Sequence, residues 1–259
     1  MDPASLVDLD RHPFDDPDLV AKARAELAAD GVTVLAGFLR PGAIEAMVAE
    51  VDGLAAEAHH QDIEGSPYLD LPDDSFPPGH PRRAHSRSAL SAVAYDEFAP
   101  QSPLRTLYEW DGLLGFIGTL LDRRPLYRYA DPLGALNVAV MGEGDDLGWH
   151  FDMTDFVVSI ALQASTAGGE FEAATNLRSA DDENYAGVDA VLRGGAEERV
   201  VRYPMTPGTL MLFAGRHSLH RVTPVVGPTP RYVALLAYDT KPDTDSSDLL
   251  KLVRYGRAA

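Results

Sequence analysis

Cysteine is absent from the 259 residues of this chain. That excludes disulfides, zinc–thiolate sites and iron–sulfur clusters, and leaves no sign of secretion. Any metal must be held by His, Asp or Glu. Basic residues are scarce: 22 Lys and Arg stand against 40 Asp and Glu, giving a net charge of −18 and a pI near 4.7. Nucleic acid is therefore not an expected partner, because phosphate binding needs clustered Lys and Arg. No run of eighteen or more apolar residues occurs, so the sequence predicts no transmembrane helix and no membrane partner. The opening Met-Asp-Pro-Ala-Ser-Leu-Val-Asp lacks the basic and apolar regions of a signal peptide. A cytoplasmic location is the simplest expectation. Internal repeats and low-complexity tracts are also missing.

What is present is a chain that is 45% apolar and 24% charged, enough for a substantial core. Helical signals come first. Residues 17–30 carry a helical stripe of Leu19, Val20, Ala23 and Leu27, with Asp15 or Asp16 as cap and Gly31 as stop. Val32 to Phe38 is β-rich. A second helix is predicted over residues 43–58, with Ile44, Met47, Val48, Val51, Leu54 and Ala55 on one face. Residues 61–88 hold repeated Pro, Gly and Asp and predict a long functional loop or lid. Residues 104–121 predict a mostly buried helix.

From residue 126 the pattern changes to short strands separated by polar turns. They are expected at 126–129, 135–141, 156–163, 170–173, 199–202, 209–213, 218–222 and 232–238. Such spacing predicts an antiparallel sandwich or barrel. The fold class is α+β, mainly β, with N-terminal helices packed on a double-sheet core. One domain spans 1–259: a helical lead-in and substrate loop (1–125), a catalytic β core (126–240) and a C-terminal tail (241–259).

Within the β core, Gly148-Trp-His150-Phe-Asp152 places an imidazole and a carboxylate two positions apart. In an extended segment, i and i+2 point to one side, so two ligands of a 2-His-1-carboxylate iron site could sit together. Without a metal, the same pair would read as a buried His–Asp hydrogen bond. The other histidines narrow the choice of a third ligand. Five of the eight precede the β core. His217 falls near a turn, whereas His220 opens a strand, which makes His220 the better ligand. Eleven residues later, Arg231 leads into the apolar run Tyr-Val-Ala-Leu-Leu-Ala. A buried guanidinium needs an anion, and a dicarboxylate offers a two-pronged match.

The ordered set His150, Asp152, His220 and Arg231 resembles that of the iron(II)- and 2-oxoglutarate-dependent dioxygenases. The resemblance covers residues 126–238, and Gly31-Val-Thr-Val-Leu-Ala-Gly-Phe is similar to the lead-in of many members. It implies a double-stranded β-helix, or jelly roll, with Fe(II), 2-oxoglutarate and O2 as cofactor and co-substrates. His150, Asp152 and His220 would be the catalytic metal ligands, and Arg231 would hold the far carboxylate of 2-oxoglutarate. Gly148-Trp-His150-Phe-Asp152, Val158-Ser-Ile-Ala-Leu-Gln163 and Gly168-Gly-Glu-Phe-Glu172 with Asn176-Leu-Arg178-Ser resemble a bacterial branch of free-amino-acid halogenases and hydroxylases, some acting on lysine. Halogenases of that branch carry glycine where this chain has Asp152. The carboxylate implies hydroxylation.

Further candidates follow. Asn137 could donate to the 2-oxoglutarate C1 carboxylate, or be an edge-strand polar residue. Arg87, with Arg82 and Arg83 as competitors, could bind a substrate carboxylate, or be a solvated loop arginine. Asp131 could bind an ammonium group, or serve as a turn carboxylate. The expected function is hydroxylation of a free amino acid, L-lysine or a similar basic one, at an unactivated C–H. The same chemistry on a carrier-bound amino acid, a peptide or a small natural product is a second possibility, and a non-catalytic jelly-roll binding module a third. The sequence leaves the oligomeric state open, a homodimer included.

Overall fold

Asp16 caps the first helix, α1 (Pro17–Asp30), its carboxylate accepting from the backbone N–H of Asp18 at 2.9 Å. Gly31 stops it in the left-handed conformation, φ 68°, which a side chain would strain. In this computed structural model, which describes residues 1–258, there follow β1 (Val32–Leu35), α2 (Pro41–Leu54), β2 (His59–Gly65), β3 (Ser86–Val93), α3 (Pro103–Glu109) and α4 (Asp111–Leu120). Next come β4 (Tyr127–Arg128), β5 (Leu136–Met141), β6 (Leu147–His150), β7 (Val157–Gln163), β8 (Ala167–Gly168) and β9 (Phe171–Ala174). The chain continues through α5 (Tyr185–Leu192), β10 (Val201–Tyr203), β11 (Leu210–Phe213), β12 (Leu219–Val222), β13 (Val225–Val226), β14 (Arg231–Leu236), β15 (Tyr238–Asp239) and α6 (Asp248–Tyr255).

Eleven strands form one curled antiparallel sheet, in the order β1-β11-β7-β14-β5-β3-β6-β12-β9-β10, with β2 paired to β3. Strand β3 turns the corner: Ser91–Val93 pair with β5, while Ser88 pairs with β6. The result is the expected jelly roll, with a helix-covered wall (β1, β11, β7, β14, β5) facing a second wall (β6, β12, β9, β10).

Period-two alternation decides what each wall shows to the interior. On β7, β14 and β5, the residues Val158, Ile160, Ala234, Leu236, Leu136 and Val138 pack beneath the helices with Phe38, Met47 and Ile117. Their neighbours Ser159, Arg231, Val233, Leu235, Asn137 and Ala139 face inward. Burying each large aliphatic side chain contributes roughly 1.5–3 kcal/mol. A one-residue slip of β14 would drive Arg231 into the apolar layer, so the register is strongly fixed.

Several boundaries differ from expectation. Helix α2 begins at Pro41, since proline is tolerated in a first turn, and ends at Leu54, not 58. The helix expected over 104–121 breaks at Trp110, which takes an extended conformation; a Cβ at Gly112 would lie 2.6 Å from its indole nitrogen. The segment 61–88 is not all loop. Its ends form β2 and β3, paired from His59–Ala92 to Gly65–Ser86, leaving 66–85 as the connection. Strand β2 is an exposed polar edge, so it lacks the apolar alternation that marks a strand. Strands β1, β2 and β3 thus join the sheet from within the lead-in, and the tail contains helix α6. No helix among the described residues is long and apolar enough to cross a membrane.

Candidate metal centre

His150 ends β6, and His220 sits directly opposite it on β12. Their rings are 4.1 Å apart. Each ring is oriented by a backbone carbonyl: His150 Nδ1 lies 2.8 Å from Gly148 O, and His220 Nδ1 lies 2.9 Å from Ser218 O. If Nδ1–H donates in each case, both Nε2 lone pairs are free for a metal. Asp152, just past the end of β6, reaches between them. Its carboxylate oxygens lie 3.8 Å from His150 Nε2 and 3.4 Å from His220 Nε2. One ligand atom from each of the three residues falls within 4.8 Å of the others.

Burial lowers the pKa of His150 to about 4, and His220 beside it adds to the effect. The ring is therefore neutral near pH 7, the form that binds metal. Phe213 and Phe171 pack against His220, at 4.7 and 5.6 Å between ring centres. Trp149 and Phe151 point away, as alternation predicts. Phe151 is buried in a separate cluster with Leu177 and Val188 beside α5.

The three residues open onto a cavity of about 290 Å³. Arg231 lines the same cavity from the first position of β14 and is only 6% exposed. Among the described residues no carboxylate pairs with it, and its one side-chain hydrogen bond is to Met141 Sδ, at 3.8 Å. Burial pushes its pKa down to about 10, so the guanidinium stays charged near neutral pH. A buried, unpaired cation is costly without an anion. Ser159, also buried, lines this cavity with its hydroxyl unpartnered. Two imidazoles and a carboxylate match the donor set of a non-haem iron(II) site with open positions. Arg231 and Ser159 offer a cation and a hydroxyl suited to a dicarboxylate. The residues present therefore fit both iron and 2-oxoglutarate.

The remaining candidates fall elsewhere. Asn137 lines an adjoining cavity of about 230 Å³, not the one holding the three ligands. Leu235, its register partner on β14, lines both cavities. Arg87 borders the metal cavity, but its guanidinium is taken: it donates to both oxygens of Asp62 at 2.9 Å and also bonds Asp146. Arg82 pairs with Asp70 and Glu183, and Arg83 with Asp74. Asp131 lines neither cavity. It accepts from the backbone N–H of Leu133 and Gly134 and faces Lys251 at 3.9 Å, the turn-carboxylate arrangement.

Arg254 had no signal in the sequence as a site residue. It projects from α6 to line both cavities. It stands in a segment that looked like a tail, and only the packing of α6 reveals it.

Comparison with known proteins places this geometry in context. The chain is similar to AviO1 from Streptomyces viridochromogenes Tue57 (19% identity over 88% of this chain and 97% of that one, TM-score 0.60). It is also similar to a carbocyclase, SnoK from nogalamycin biosynthesis, described as non-haem and alpha-ketoglutarate-dependent (14%, 92% and 92%, TM-score 0.60). A third likeness is to a 2OG-Fe(II) oxygenase-family oxidoreductase from Burkholderia pseudomallei (15%, 86% and 91%, TM-score 0.52). At these identities the likeness establishes the fold. No curated protein sequence matches. The halogenase D family model matches residues 15–249, and over that span, nearly the whole chain, the protein belongs to the halogenase D family.

Proposed function

We propose that the protein is an iron(II)- and 2-oxoglutarate-dependent hydroxylase of a free amino acid, with L-lysine or a similar basic one as substrate. The observation that carries hydroxylation is the Asp152 carboxylate set between the two imidazoles. A halogenating centre of this type needs that metal position for halide. In this chain Asp152 would supply a protein oxygen there, and Gly215 leaves room for its carboxylate.

When bound, iron with 2-oxoglutarate and O2 supplies an oxidant able to remove hydrogen from an unactivated C–H. The protein's own residues set the conditions. His150, Asp152 and His220 would hold the metal on one wall of the jelly roll. Arg231, on the facing wall, would hold the far carboxylate of 2-oxoglutarate, with Ser159 able to donate a hydroxyl hydrogen bond. Val157, Val233, Leu235, Met211 and Phe213 make the surroundings largely apolar, which limits water at the reacting C–H.

The test is formation of succinate by the purified protein with iron(II), 2-oxoglutarate and O2, across the free amino acids. One basic amino acid should stimulate succinate formation and gain one oxygen atom by mass. Succinate unchanged by every amino acid would remove the free-amino-acid assignment. A chlorinated product in the presence of chloride would remove the hydroxylase assignment.

A further inference from the structure

We infer that Arg254 anchors the substrate's α-carboxylate, and that the cavity behind it receives the amino-acid head group. This rests on His150, Asp152 and His220 being an iron site that acts on a free amino acid. It adds where that amino acid is gripped.

The adjoining cavity shares Val157, Leu235 and Arg254 with the metal cavity, so the two are continuous at Arg254. Among its lining residues Arg254 alone is charged. In a protein with 40 acidic side chains, this arginine has no ion pair and no side-chain hydrogen bond among the described residues. Of the other cations around the metal cavity, one is paired and one is distant. Arg87 is neutralised by Asp62 and Asp146. Arg231 sits at the start of β14, four residues from Leu235, so that roughly 13 Å of strand separates it from the junction of the two cavities.

A second polar group in this cavity lacks a partner among the described residues. Asn137 is 7% exposed, and its amide oxygen has no hydrogen bond. A group buried this deeply is normally satisfied. Tyr238 also borders this cavity, but its ring stacks on Tyr108 in the layer beneath the helices. An α-amino acid completes the set: its carboxylate receives the Arg254 guanidinium, and its ammonium group donates to the Asn137 oxygen. The side chain would then extend past Leu235 and Val157 toward the metal.

Helix α6 is held firmly enough to serve as an anchor. Lys251 pairs with Asp245 at 2.7 Å and faces Asp131, and Arg257 grips Asp96 with two bonds at 2.7 and 2.8 Å. A favourable interaction of Arg254 with the helix C-terminus explains an arginine in the last turn. It does not explain an arginine directed into two cavities that hold unsatisfied polar groups.

The experiment uses the full chain. Binding of each free amino acid and its methyl ester to the metal-free protein is measured by calorimetry. In parallel, the charge-transfer band with iron(II) and 2-oxoglutarate is recorded without oxygen. The expected result is that Arg254→Gln weakens binding of the preferred amino acid roughly tenfold to a hundredfold, the scale of one charge-assisted hydrogen bond. Arg254→Lys should restore part of it. The methyl ester should bind wild type and Arg254→Gln alike, and the band should be unchanged in both variants. Equal amino-acid affinity in wild type and Arg254→Gln, at matched unfolding midpoints, overturns the inference and leaves the iron assignment standing. An equal loss for acid and ester overturns it too, since the arginine would then not read the carboxylate. A normal band with no amino acid bound by wild type overturns both the amino-acid assignment and this inference.

Discussion

Gly215 has no side chain because Asp152 occupies the space one would need. A Cβ built there would lie 2.7 Å from the Asp152 Cγ and 2.8 Å from its Cβ, and closer still to the carboxylate oxygen. The Asp152 N–H donates to Gly215 O at 3.1 Å, so the two backbones are fastened at the same point. Gly215 does not take a positive φ, so alanine suits its backbone and conflicts only with the carboxylate. Gly215→Ala is expected to displace Asp152 and weaken iron(II) binding tenfold or more, with a small change in unfolding midpoint. Iron titration by the charge-transfer band measures this. Unaltered affinity would show that the carboxylate is not held where the metal needs it.

Asp152→Gly removes the third ligand outright. Hydroxylation should fall to background while 2-oxoglutarate binding through Arg231 persists. Product mass and succinate yield, with and without chloride, read the outcome. Full hydroxylation by this variant would refute the ligand assignment.

Arg231→Met separates the cost of a buried charge from its use. Methionine fills similar space without a guanidinium to desolvate, so the ligand-free variant should unfold at a higher temperature than wild type. Saturating 2-oxoglutarate should stabilise wild type by about 2.7 kcal/mol at a hundredfold excess over Kd, and the variant far less. A variant stabilised as strongly as wild type would place the far carboxylate elsewhere.

His12 gives a pH dependence independent of the metal. Burial among Phe38 and its neighbours lowers its pKa below the ordinary 6.5, with Nε2 3.1 Å from Ala36 O. The unfolded chain therefore takes up this proton first as the pH falls below 6.5, and the folded state loses stability there. Above that pH the group has no effect. Denaturant unfolding of His12→Gln should show a shallower decline on acidification than wild type; superimposable curves would rule His12 out as a source.

Much of this arrangement is legible in the residues, and physical reasons explain the rest. His150 and Asp152 can be read because a strand sends i and i+2 to one side. His220 can be separated from His217 because a turn and a strand present side chains differently. Arg231 stands out because an arginine beside an apolar run demands an anion. Strand β2 is hidden, since an edge strand with both faces largely wet carries no apolar alternation. Helix α6 is hidden for the opposite reason. Its leucines Leu249, Leu250 and Leu252 are exposed, while Lys251 is the buried residue. A reading by apolar stripe would aim the wrong face inward and miss Arg254. Arg87 misleads because its carboxylate partners, Asp62 and Asp146, are distant in sequence or on another strand.

The direct opposition of His150 and His220 has a consequence for folding. Their strands are joined by a connection of about seventy residues, and closing a loop of that length costs entropy that grows only slowly with size. A metal held by both imidazoles and by Asp152 would act as a cross-link across that connection, fastening β6 to β12 much as a disulfide does. In a chain without cysteine, iron is then a structural staple as well as a reagent, and resistance to unfolding should rise with metal occupancy.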